Sequence, residues 1–243
     1  METPSVETHR RTTYPRGDMA TRIILARHGE SVVNVVGLAS DELEGNPLTY
    51  LGQTQAHQLA RSLRHEGVSA VVTSPVQRAR ETGGIVAAEL GLPTSIEWGT
   101  EEVRVGIHAG ELAPESVVRG IADFRIWLAE EDLTHGYVGG ENALQVAERC
   151  SAALERIADR YPDQTVLVVS HGGAIAFTVP TICDNITLRS VHDRQLTNCA
   201  TVVIERDRED WTCLSWQGVT PESFVSQPSI GRHDDHHLDR ESA

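Results

Sequence analysis

The sequence predicts an α/β fold, a three-layer α/β/α sandwich with a mostly parallel central sheet. Strand and helix signals alternate along the chain, which is the pattern of strands joined by crossover helices. Residues 165–169 are a continuous apolar run, as expected for a strand that is covered on both faces. Polar residues follow three of the apolar runs, and an open α/β sheet binds its ligands beyond such strand ends.

The individual elements follow from hydrophobic periodicity. Short apolar or β-branched runs predict strands at 23–26, 70–73, 165–169, 202–204 and 211–216. Apolar residues at helical spacing predict helices over 53–65, 76–90, 114–132 and 141–160. Residues 1–20 and 219–243 are polar and lack periodicity, so we expect flexible tails on either side of one domain at 21–218. A small cap is expected at about 103–140.

The charge of the chain excludes several classes of function. Its 243 residues include 21 basic and 35 acidic side chains, a formal net charge of −14, which argues against binding to nucleic acid or to an anionic membrane. All of the basic residues are arginine. The absence of lysine excludes a Walker-type P-loop and any Schiff-base enzyme. Cationic contacts must therefore come from arginine, whose planar fork suits phosphate and carboxylate.

Cysteine usage and hydropathy predict a cytoplasmic protein. The four cysteines show neither CxxC pairing nor metal-ligand spacing, so we interpret them as reduced thiols: Cys150, Cys183, Cys199 and Cys213. The apolar stretch 166–179 is interrupted by polar residues and is too short to cross a membrane, and the N-terminus lacks the apolar core of a secretory signal. The histidine-rich run at 232–237 is interpreted as a solvated tail. We expect no metal and no cofactor.

Three strand ends carry the residues on which the functional prediction depends. Arg27 and His28 follow the first strand, Arg78 lies shortly after the Ser-Pro that ends the second, and His171 follows the run 165–169. Two guanidinium groups can bind a phosphate dianion through paired hydrogen bonds, and adjacent glycines allow the backbone to approach an anion. A neutral imidazole is a competent nucleophile near pH 7 when its second nitrogen is held. These residues predict a binding site for negative charge on an acidic protein.

Six segments of the chain resemble the histidine phosphatase superfamily, in its phosphoglycerate mutase-like branch, from about residue 22 to residue 216. In chain order they are Arg27–Asn34 (RHGESVVN), Leu48–Ala56 (LTYLGQTQA), Ser74–Thr82 (SPVQRARET), Glu102–Gly110 (EVRVGIHAG), Gly139–Asn142 (GGEN) and Ser170–Gly173 (SHGG). Six segments in a compatible order and spacing argue against chance similarity. The resemblance implies a phosphoglycerate mutase-like fold.

The resemblance also implies roles for the residues at the strand ends. His28 would attack phosphorus and become a phosphohistidine. Arg27, Arg78 and His171 would bind the oxygens of the transferring phosphoryl group, with Asn34 as a further donor. Arginine and histidine would then neutralise the charge that a metal ion neutralises in many phosphoryl-transfer enzymes.

The resemblance also implies that a glutamate acts as the general acid. Glu102 would protonate the leaving alcohol and later take a proton from the hydrolytic water. Its neighbour Glu101 is also acidic, and Glu102 is preferred because four-residue steps lead from it to Gly106 and then to Gly110. Where several relatives have tryptophan this chain has His108, which we interpret as a replacement on the rim of the pocket; the alternative is that it lines the substrate pocket or shares the proton of the acid.

Other motif residues are interpreted as structural. Gly52 and Gln55 are expected to serve helix packing. Glu30 is expected to hold its loop by pairing with an arginine, and Asn198 to tie a turn ahead of the last strands. None of the four is expected to touch the substrate.

The favoured function is hydrolysis of a small phosphorylated metabolite, a phosphate monoester, by a metal-independent phosphatase. Only 69 positions separate Glu102 from His171, and the second motif reads Ser-His-Gly-Gly, whereas similar mutases usually have Ser-His-Gly-Asn and a longer insertion. A phosphoglycerate mutase-type transfer, or related recruited chemistry, is the first alternative. A non-catalytic phosphate-binding regulatory module is the second. The sequence specifies no leaving group and leaves a homodimer open.

Overall fold

The protein is built on one six-stranded sheet, described by a computed structural model over residues 20–110, 133–134, 136–192 and 194–226. The strands in these ranges are β1 (Thr21–Arg27), β2 (Val68–Thr73), β3 (Thr94–Ile96), β4 (Thr165–Ser170), β5 (Thr201–Asp207) and β6 (Asp210–Trp216). The α-helices in the same ranges are α1 (Val32–Val36), α2 (Tyr50–Leu63), α3 (Gln77–Leu90), α4 (Ala143–Arg160), α5 (Gly172–Ile182) and α6 (Leu188–His192).

The sheet is mostly parallel. Its strand order is β3-β2-β4-β1-β5-β6, and β1 to β4 run in the same direction. Strands β5 and β6 are antiparallel to their neighbours and form one edge as a hairpin. Because β2, β4 and β1 are adjacent and parallel, their carboxyl ends meet at the same edge of the sheet. This arrangement brings the three predicted polar signatures together.

Helices cover both faces of the sheet and make three layers. In β1, Ile23 and Leu25 join one buried cluster with α4 and α5, whereas Ile24 and Ala26 join a second cluster with α2 and α3. This alternation is expected for a strand buried on both faces. The predicted fold class is confirmed.

Local capping chemistry sets the helix boundaries. Helix α2 begins three residues before the predicted start, because the Thr49 hydroxyl caps it by accepting the backbone N–H of Gly52 at 3.0 Å. Helix α3 ends at Gly91, which adopts the left-handed conformation at a φ of 66°. Helix α4 begins two residues after its predicted start, since Asn142 and Gln145 form a reciprocal capping box.

The remaining predicted elements have mixed outcomes. The five predicted strands correspond to β1, β2, β4, β5 and β6, and the three-residue edge strand β3 was missed. Residues 219–226, which the sequence placed in a tail, continue the fold with a bridge from Val219 to Trp216 and a 3₁₀ helix over Pro221–Ser226. The predicted helix 114–132, most of the cap and residues 1–19 and 227–243 lie outside the described residues.

All four cysteines are free thiols, as predicted, and three of them are buried. Burial raises the pKa of Cys150 to about 11. In the described ranges, no helix combines the length and the hydropathy needed to cross a bilayer.

Candidate active site

His28 lies directly beyond the end of β1 and is held from both sides of its ring. Its backbone N–H donates to the carbonyl of Ser170 at the end of β4, at 3.0 Å. Its Nδ1 lies 2.7 Å from the carbonyl oxygen of Gly29, so Nδ1 carries the proton and donates it. Nε2 is then the basic nitrogen, and it accepts from Nε of Arg78 at 3.1 Å. The side chain that sequence reasoning selected as nucleophile therefore presents its lone pair to a guanidinium.

Helix α3 fixes the backbone that follows His28. The Thr82 hydroxyl accepts the N–H of Gly29 at 3.0 Å and donates to the carbonyl of Arg78 at 2.7 Å. A single buried hydroxyl thus connects the loop that carries the nucleophile to the helix that carries its cationic neighbour.

Helix α2 supports the same loop. The amide oxygen of Gln55 accepts the N–H of Glu30 at 2.8 Å, and a Cβ added at Gly52 would collide with the carbonyl of Glu30. The side chain of Glu30 accepts from the Thr49 hydroxyl at 2.7 Å, and the described residues show no pairing of it with an arginine, which was the expectation. Gly52 and Gln55 therefore do more than pack α2, because they also position the nucleophile loop.

Two arginines form a buried cationic cradle around His28. Arg27 is anchored by a 2.6 Å bond from Nη1 to the carbonyl of Leu196, and Arg78 is only 2% exposed. Nε of Arg27 and Nη1 of Arg78 are buried and have no hydrogen-bond partner among the described residues. Buried guanidinium N–H groups without a partner are costly, and the oxygens of a phosphate would satisfy them.

His171 is fully buried behind His28, and the centroids of the two rings are 5.2 Å apart. Nε2 of His171 lies 2.9 Å from the hydroxyl of Ser74 at the end of β2. Its Nδ1 is buried and has no partner among the described residues. The three strand ends therefore converge as predicted, and His171 forms the inner part of the cradle.

Both histidines are neutral at pH 7. Burial lowers the pKa of His28 well below its ordinary value, and the charge of Arg78 lowers it further. Burial also lowers the pKa of His171 well below its ordinary value, with further contributions from Arg78 and His28. A neutral His28 keeps the lone pair that nucleophilic attack requires.

The two adjacent glutamates have different surroundings. The carboxylate of Glu102 accepts the backbone N–H of Gly173 at 3.2 Å and of Ala174 at 3.0 Å, in the first turn of α5. Glu102 also lines the same cavity as His28. The carboxylate of Glu101 instead accepts the backbone N–H of Gly99 at 2.7 Å. The structure thus brings Glu102, and not Glu101, to the cluster.

An arginine that sequence reasoning missed fixes the loop that carries Glu102. Arg149 on α4 donates to the carbonyls of Gly99, Glu101 and Glu102, each at 2.9 Å. The same guanidinium makes a bidentate pair with Glu141, at 2.8 and 2.9 Å. Burial alone would raise the pKa of Glu141, but the hydrogen bonds from Arg149 hold that pKa below its ordinary value. The Gly-Gly-Glu motif was the signal in the sequence that could have indicated this contact, because its glutamate is Glu141, the partner of Arg149.

Two asparagines complete the wall around His28. The Oδ1 of Asn34 accepts from the N–H of Ser31 at 3.0 Å and from Nδ2 of Asn198 at 3.3 Å, which leaves the Nδ2 of Asn34 as its donor. Asn198 also donates to the carbonyl of His28 at 3.0 Å. The side chain of Asn198 therefore holds the distant nucleophile loop, rather than tying a turn ahead of the last strands as expected, and Asn34 lines the cavity.

The cradle opens into a cavity of about 400 Å³. Beyond the phosphate cradle its described walls are largely apolar, with Val33, Val103, Val105, Ala176, Leu196 and Trp216. Tyr137 also lines it, in edge-on contact with the ring of His108. The described residues contain no group of three histidine, cysteine, aspartate or glutamate side chains that could hold a metal ion.

Comparison of the sequence with known proteins identifies one family. A profile of the histidine phosphatase superfamily (branch 1) matches residues 23–218. A metal-independent phosphoserine phosphatase of Arabidopsis thaliana is 31% identical over 207 residues, 84% of each chain. A probable phosphoglycerate mutase of Yersinia enterocolitica is 27% identical over 204 residues, 80% of this chain and 89% of that protein.

Solved structures share the fold. Bacillus stearothermophilus YhfR has a TM-score of 0.70 at 25% identity, covering 82% of this chain and 98% of its own. A mycobacterial glucosyl-3-phosphoglycerate phosphatase has a TM-score of 0.69 at 22% identity, covering 82% and 99%. With the profile spanning nearly the whole described domain, the chain belongs to the histidine phosphatase superfamily.

Proposed function

We propose that the protein is a metal-independent phosphomonoesterase that hydrolyses a small phosphorylated metabolite through a phosphohistidine on His28. The observation that carries the proposal is the state of this imidazole. It is neutral, its Nδ1 is held by the carbonyl of Gly29, and its Nε2 faces a cradle of buried arginine donors. A nucleophile and an anion-binding site therefore coincide.

In the first step, Nε2 of His28 attacks phosphorus as the P–O bond to the leaving group breaks. Glu102 donates a proton to the departing alkoxide, so that a neutral alcohol leaves. We assign this proton to Oε2 of Glu102, because that oxygen accepts a single N–H bond, from Gly173, whereas Oε1 accepts two.

In the second step, water attacks the phosphorus of the phosphohistidine. Glu102, now a carboxylate, takes a proton from the water, and the N–P bond breaks to release inorganic phosphate and neutral His28. The guanidinium groups of Arg27 and Arg78, the ring of His171 and the amide of Asn34 bind the equatorial oxygens in both steps. Positioning and charge neutralisation supply the catalysis, as in other phosphoryl transfers.

A phosphatase is favoured over a mutase, although several relatives are named probable phosphoglycerate mutases. A relative of higher identity, covering 84% of each chain, is named a metal-independent phosphoserine phosphatase. From this relative we infer the class of substrate of the present protein, a small phosphorylated metabolite. We also propose a cytoplasmic location, since four free thiols are typical of a reducing compartment.

The decisive experiment is an assay of p-nitrophenyl phosphate hydrolysis in the presence of a chelator. We expect turnover without added metal, loss of turnover in His28→Ala with the fold retained, and an acid-labile, base-stable phosphoenzyme. Normal activity of His28→Ala would remove His28 as the nucleophile. A requirement for a bisphosphorylated primer, with an isomer as product, would establish a mutase. Phosphate binding without turnover would establish a regulatory module.

A further inference from the structure

The cavity that contains the phosphate cradle extends into an apolar chamber. Five of the residues that line it are at most 7% exposed and belong to the main hydrophobic core: Val103, Ala176, Val191, Leu196 and Trp216. They come from five separate parts of the fold, namely the segment after β3, helices α5 and α6, the loop before β5, and strand β6. The hydrophobic core is therefore open to the cavity here, and it offers a ligand a wall of carbon atoms.

The apolar chamber adjoins the acid that protonates the leaving group. Val103 directly follows Glu102 in the chain. Ala176 is on α5, whose first turn binds the Glu102 carboxylate through the N–H of Gly173. Gly172, Gly173 and Ala176 all line the cavity, as expected for residues on one face of a helix. The carbon skeleton of the departing alcohol therefore lies next to these walls.

The polar groups next to the apolar walls have partners within the protein. Nε1 of Trp216 donates to the carbonyl of Arg194 at 2.9 Å. The guanidinium of Arg194 lies 4.2 Å from the ring centroid of Phe224, and its Nη1 donates to the carbonyl of Ser190 at 3.3 Å. The indole N–H is thus already used, and the guanidinium is held on a neighbouring aromatic ring.

The other polar residues on the lining lie at the cradle, on the core or in solvent. Ser40 is beside the cradle, because its carbonyl accepts Nη2 of Arg78 at 3.4 Å. Tyr137 packs against the main hydrophobic core, and Gln195 is exposed. Apart from Arg194, the described lining has no charged side chain beyond the cradle and the candidate acid. A charged or hydroxyl-rich alcohol would lose water in the chamber without gaining described partners, which is costly.

The cavity is large enough to hold more than a phosphoryl group. Its volume of about 400 Å³ is within the range of roughly 300–1,000 Å³ that is typical of sites for small molecules. The phosphoryl group occupies only the cradle. The remaining space has room for an alcohol part of several carbon atoms.

We propose that the apolar chamber binds a hydrocarbon group, so that the substrates of this enzyme are phosphate monoesters of apolar alcohols. The inference rests on the proposed phosphatase function and names the substrate class of the same site. It differs from phosphoserine, for which one relative is named, because the alcohol part of phosphoserine carries two charged groups. Removal of hydrocarbon surface from water supplies the selectivity, at roughly fourfold in affinity for each buried methylene.

The first test compares two esters of the same size and shape. 2-Methylbutyl phosphate is glycerol 3-phosphate with a methyl group in place of each free hydroxyl. We expect kcat/KM to be higher for 2-methylbutyl phosphate by at least about tenfold, as expected for the burial of both methyl groups. Glycerol is the better leaving group, so the chemical step alone would give the opposite order. An equal or higher kcat/KM for glycerol 3-phosphate would overturn the proposal.

The second test changes the size of the chamber. Straight-chain alkyl phosphates have leaving groups of nearly equal pKa, so kcat/KM should rise with chain length until the chamber is full. Ala176→Leu adds about three carbon atoms to the wall, and the ratio of kcat/KM for hexyl phosphate to that for ethyl phosphate should fall at least about tenfold. Ala88→Leu is the matched control, because it makes the same change at an exposed position of α3 and should leave the ratio unchanged.

The same ratio in Ala176→Leu and in the wild type would refute the assignment. If Ala176→Leu fails to fold, Val191→Ala provides the test in the opposite direction. This variant enlarges the chamber, so the rise in kcat/KM should continue to longer chains than in the wild type. A profile identical to that of the wild type would then overturn the proposal.

Binding of alkylphosphonates separates this proposal from the proposed function, because their C–P bond is not hydrolysed. We expect the Kd measured by calorimetry to fall from methylphosphonate to hexylphosphonate. If p-nitrophenyl phosphate is hydrolysed but both phosphonates bind equally, the role of the chamber is wrong and the phosphatase stands. If hexylphosphonate binds more tightly but no ester is hydrolysed, the phosphatase proposal fails and the chamber remains an apolar binding site.

Discussion

Arg149 offers a direct test of how the candidate acid is positioned. Its guanidinium joins Glu141 to three carbonyls of the loop that ends at Glu102, those of Gly99, Glu101 and Glu102, and none of these bonds involves the phosphate cradle. Arg149→Lys keeps a positive charge beside Glu141 but cannot reproduce the planar fork. The substitution should therefore loosen the loop without leaving a buried carboxylate unpaired.

The structure sets the expected size of the effect. A hydrogen bond from a charged group contributes about 1.5–3 kcal/mol, and an ammonium at this position can keep one or two of the five bonds. The half-buried carbonyls that lose a donor regain water in part. We therefore expect Arg149→Lys to lower the free energy of unfolding by about 2–4 kcal/mol. Arg149→Met would leave the buried Glu141 paired with the more exposed Arg104, so it should cost more than Arg149→Lys, up to the about 3–5 kcal/mol of a broken buried pair.

The catalytic effect should depend on the leaving group. A displacement of about 1 Å in a catalytic group can lower a rate by roughly 100-fold. If Glu102 is the acid, alkyl phosphates, whose leaving groups need a proton, should lose about this much kcat/KM in Arg149→Lys. p-Nitrophenyl phosphate, whose leaving group departs as a stable anion, should lose much less. The assay is kcat/KM across a series of phosphate esters with leaving groups of increasing pKa.

Arg156→Lys is the matched control. Arg156 is also on α4, pairs with Glu97 at 2.8 Å and donates to the carbonyl of Trp98 at 2.8 Å, but it makes none of the hydrogen bonds by which Arg149 holds the loop that ends at Glu102. This variant should lose stability without steepening the dependence on the leaving group. Equal slopes for wild type, Arg149→Lys and Arg156→Lys would refute the reasoning, because the Arg149 network would then be purely structural.

Three further predictions concern the groups around the nucleophile. The folded-state pKa values of His28 and His171 lie below the unfolded value of about 6.5, so the unfolded chain binds more protons as the pH falls through 6.5. Stability measured by denaturant titration should therefore fall below pH 6.5, by up to about 2.7 kcal/mol per pH unit from the two residues, and a flat profile would contradict their neutral burial. Thr82→Val keeps the side-chain shape but leaves the N–H of Gly29 unpaired. It should cost about 1–3 kcal/mol in denaturant unfolding and lower kcat, and an unchanged kcat would show that this bond does not position the nucleophile. Inorganic phosphate at 100 times its Kd should stabilise the wild type by about 2.7 kcal/mol in thermal unfolding and should stabilise Arg78→Ala far less; equal stabilisation of both would place the anion elsewhere.

The convergence of the strand ends could be predicted because it depends on a regular property of the fold. Apolar runs identify buried strands, and the carboxyl ends of adjacent parallel strands share an edge. Arg27, Arg78 and His171 could therefore be brought together with His28 without coordinates. The choice of Glu102 over Glu101 depended on motif spacing, and the contacts with α5 agree with it.

The residues that hold the catalytic loops in position could not be predicted in the same way. Arg149 lies 47 residues after Glu102, on the outer part of a helix whose local pattern indicates only an amphipathic surface. Gly52 and Gln55 stood in a recognised motif, but helical periodicity assigned them to packing within α2. Their partner is the backbone of Glu30, 25 residues before Gln55. Such contacts depend on tertiary geometry, which a pattern local to one element does not contain.

The unpaired hydrogen-bond donors around His28 explain why several residues hold the loop that follows it. Nε of Arg27 and Nη1 of Arg78 are buried without a partner among the described residues, and each such group costs about 1–3 kcal/mol. In a looser loop these groups would turn towards water and recover that energy. Hydrogen bonds from the backbone N–H groups of the loop to Thr82 and Gln55, and the close contact at Gly52, prevent this relaxation. The fold therefore keeps the cradle desolvated, and a phosphoryl group gains the full strength of its charge when it enters.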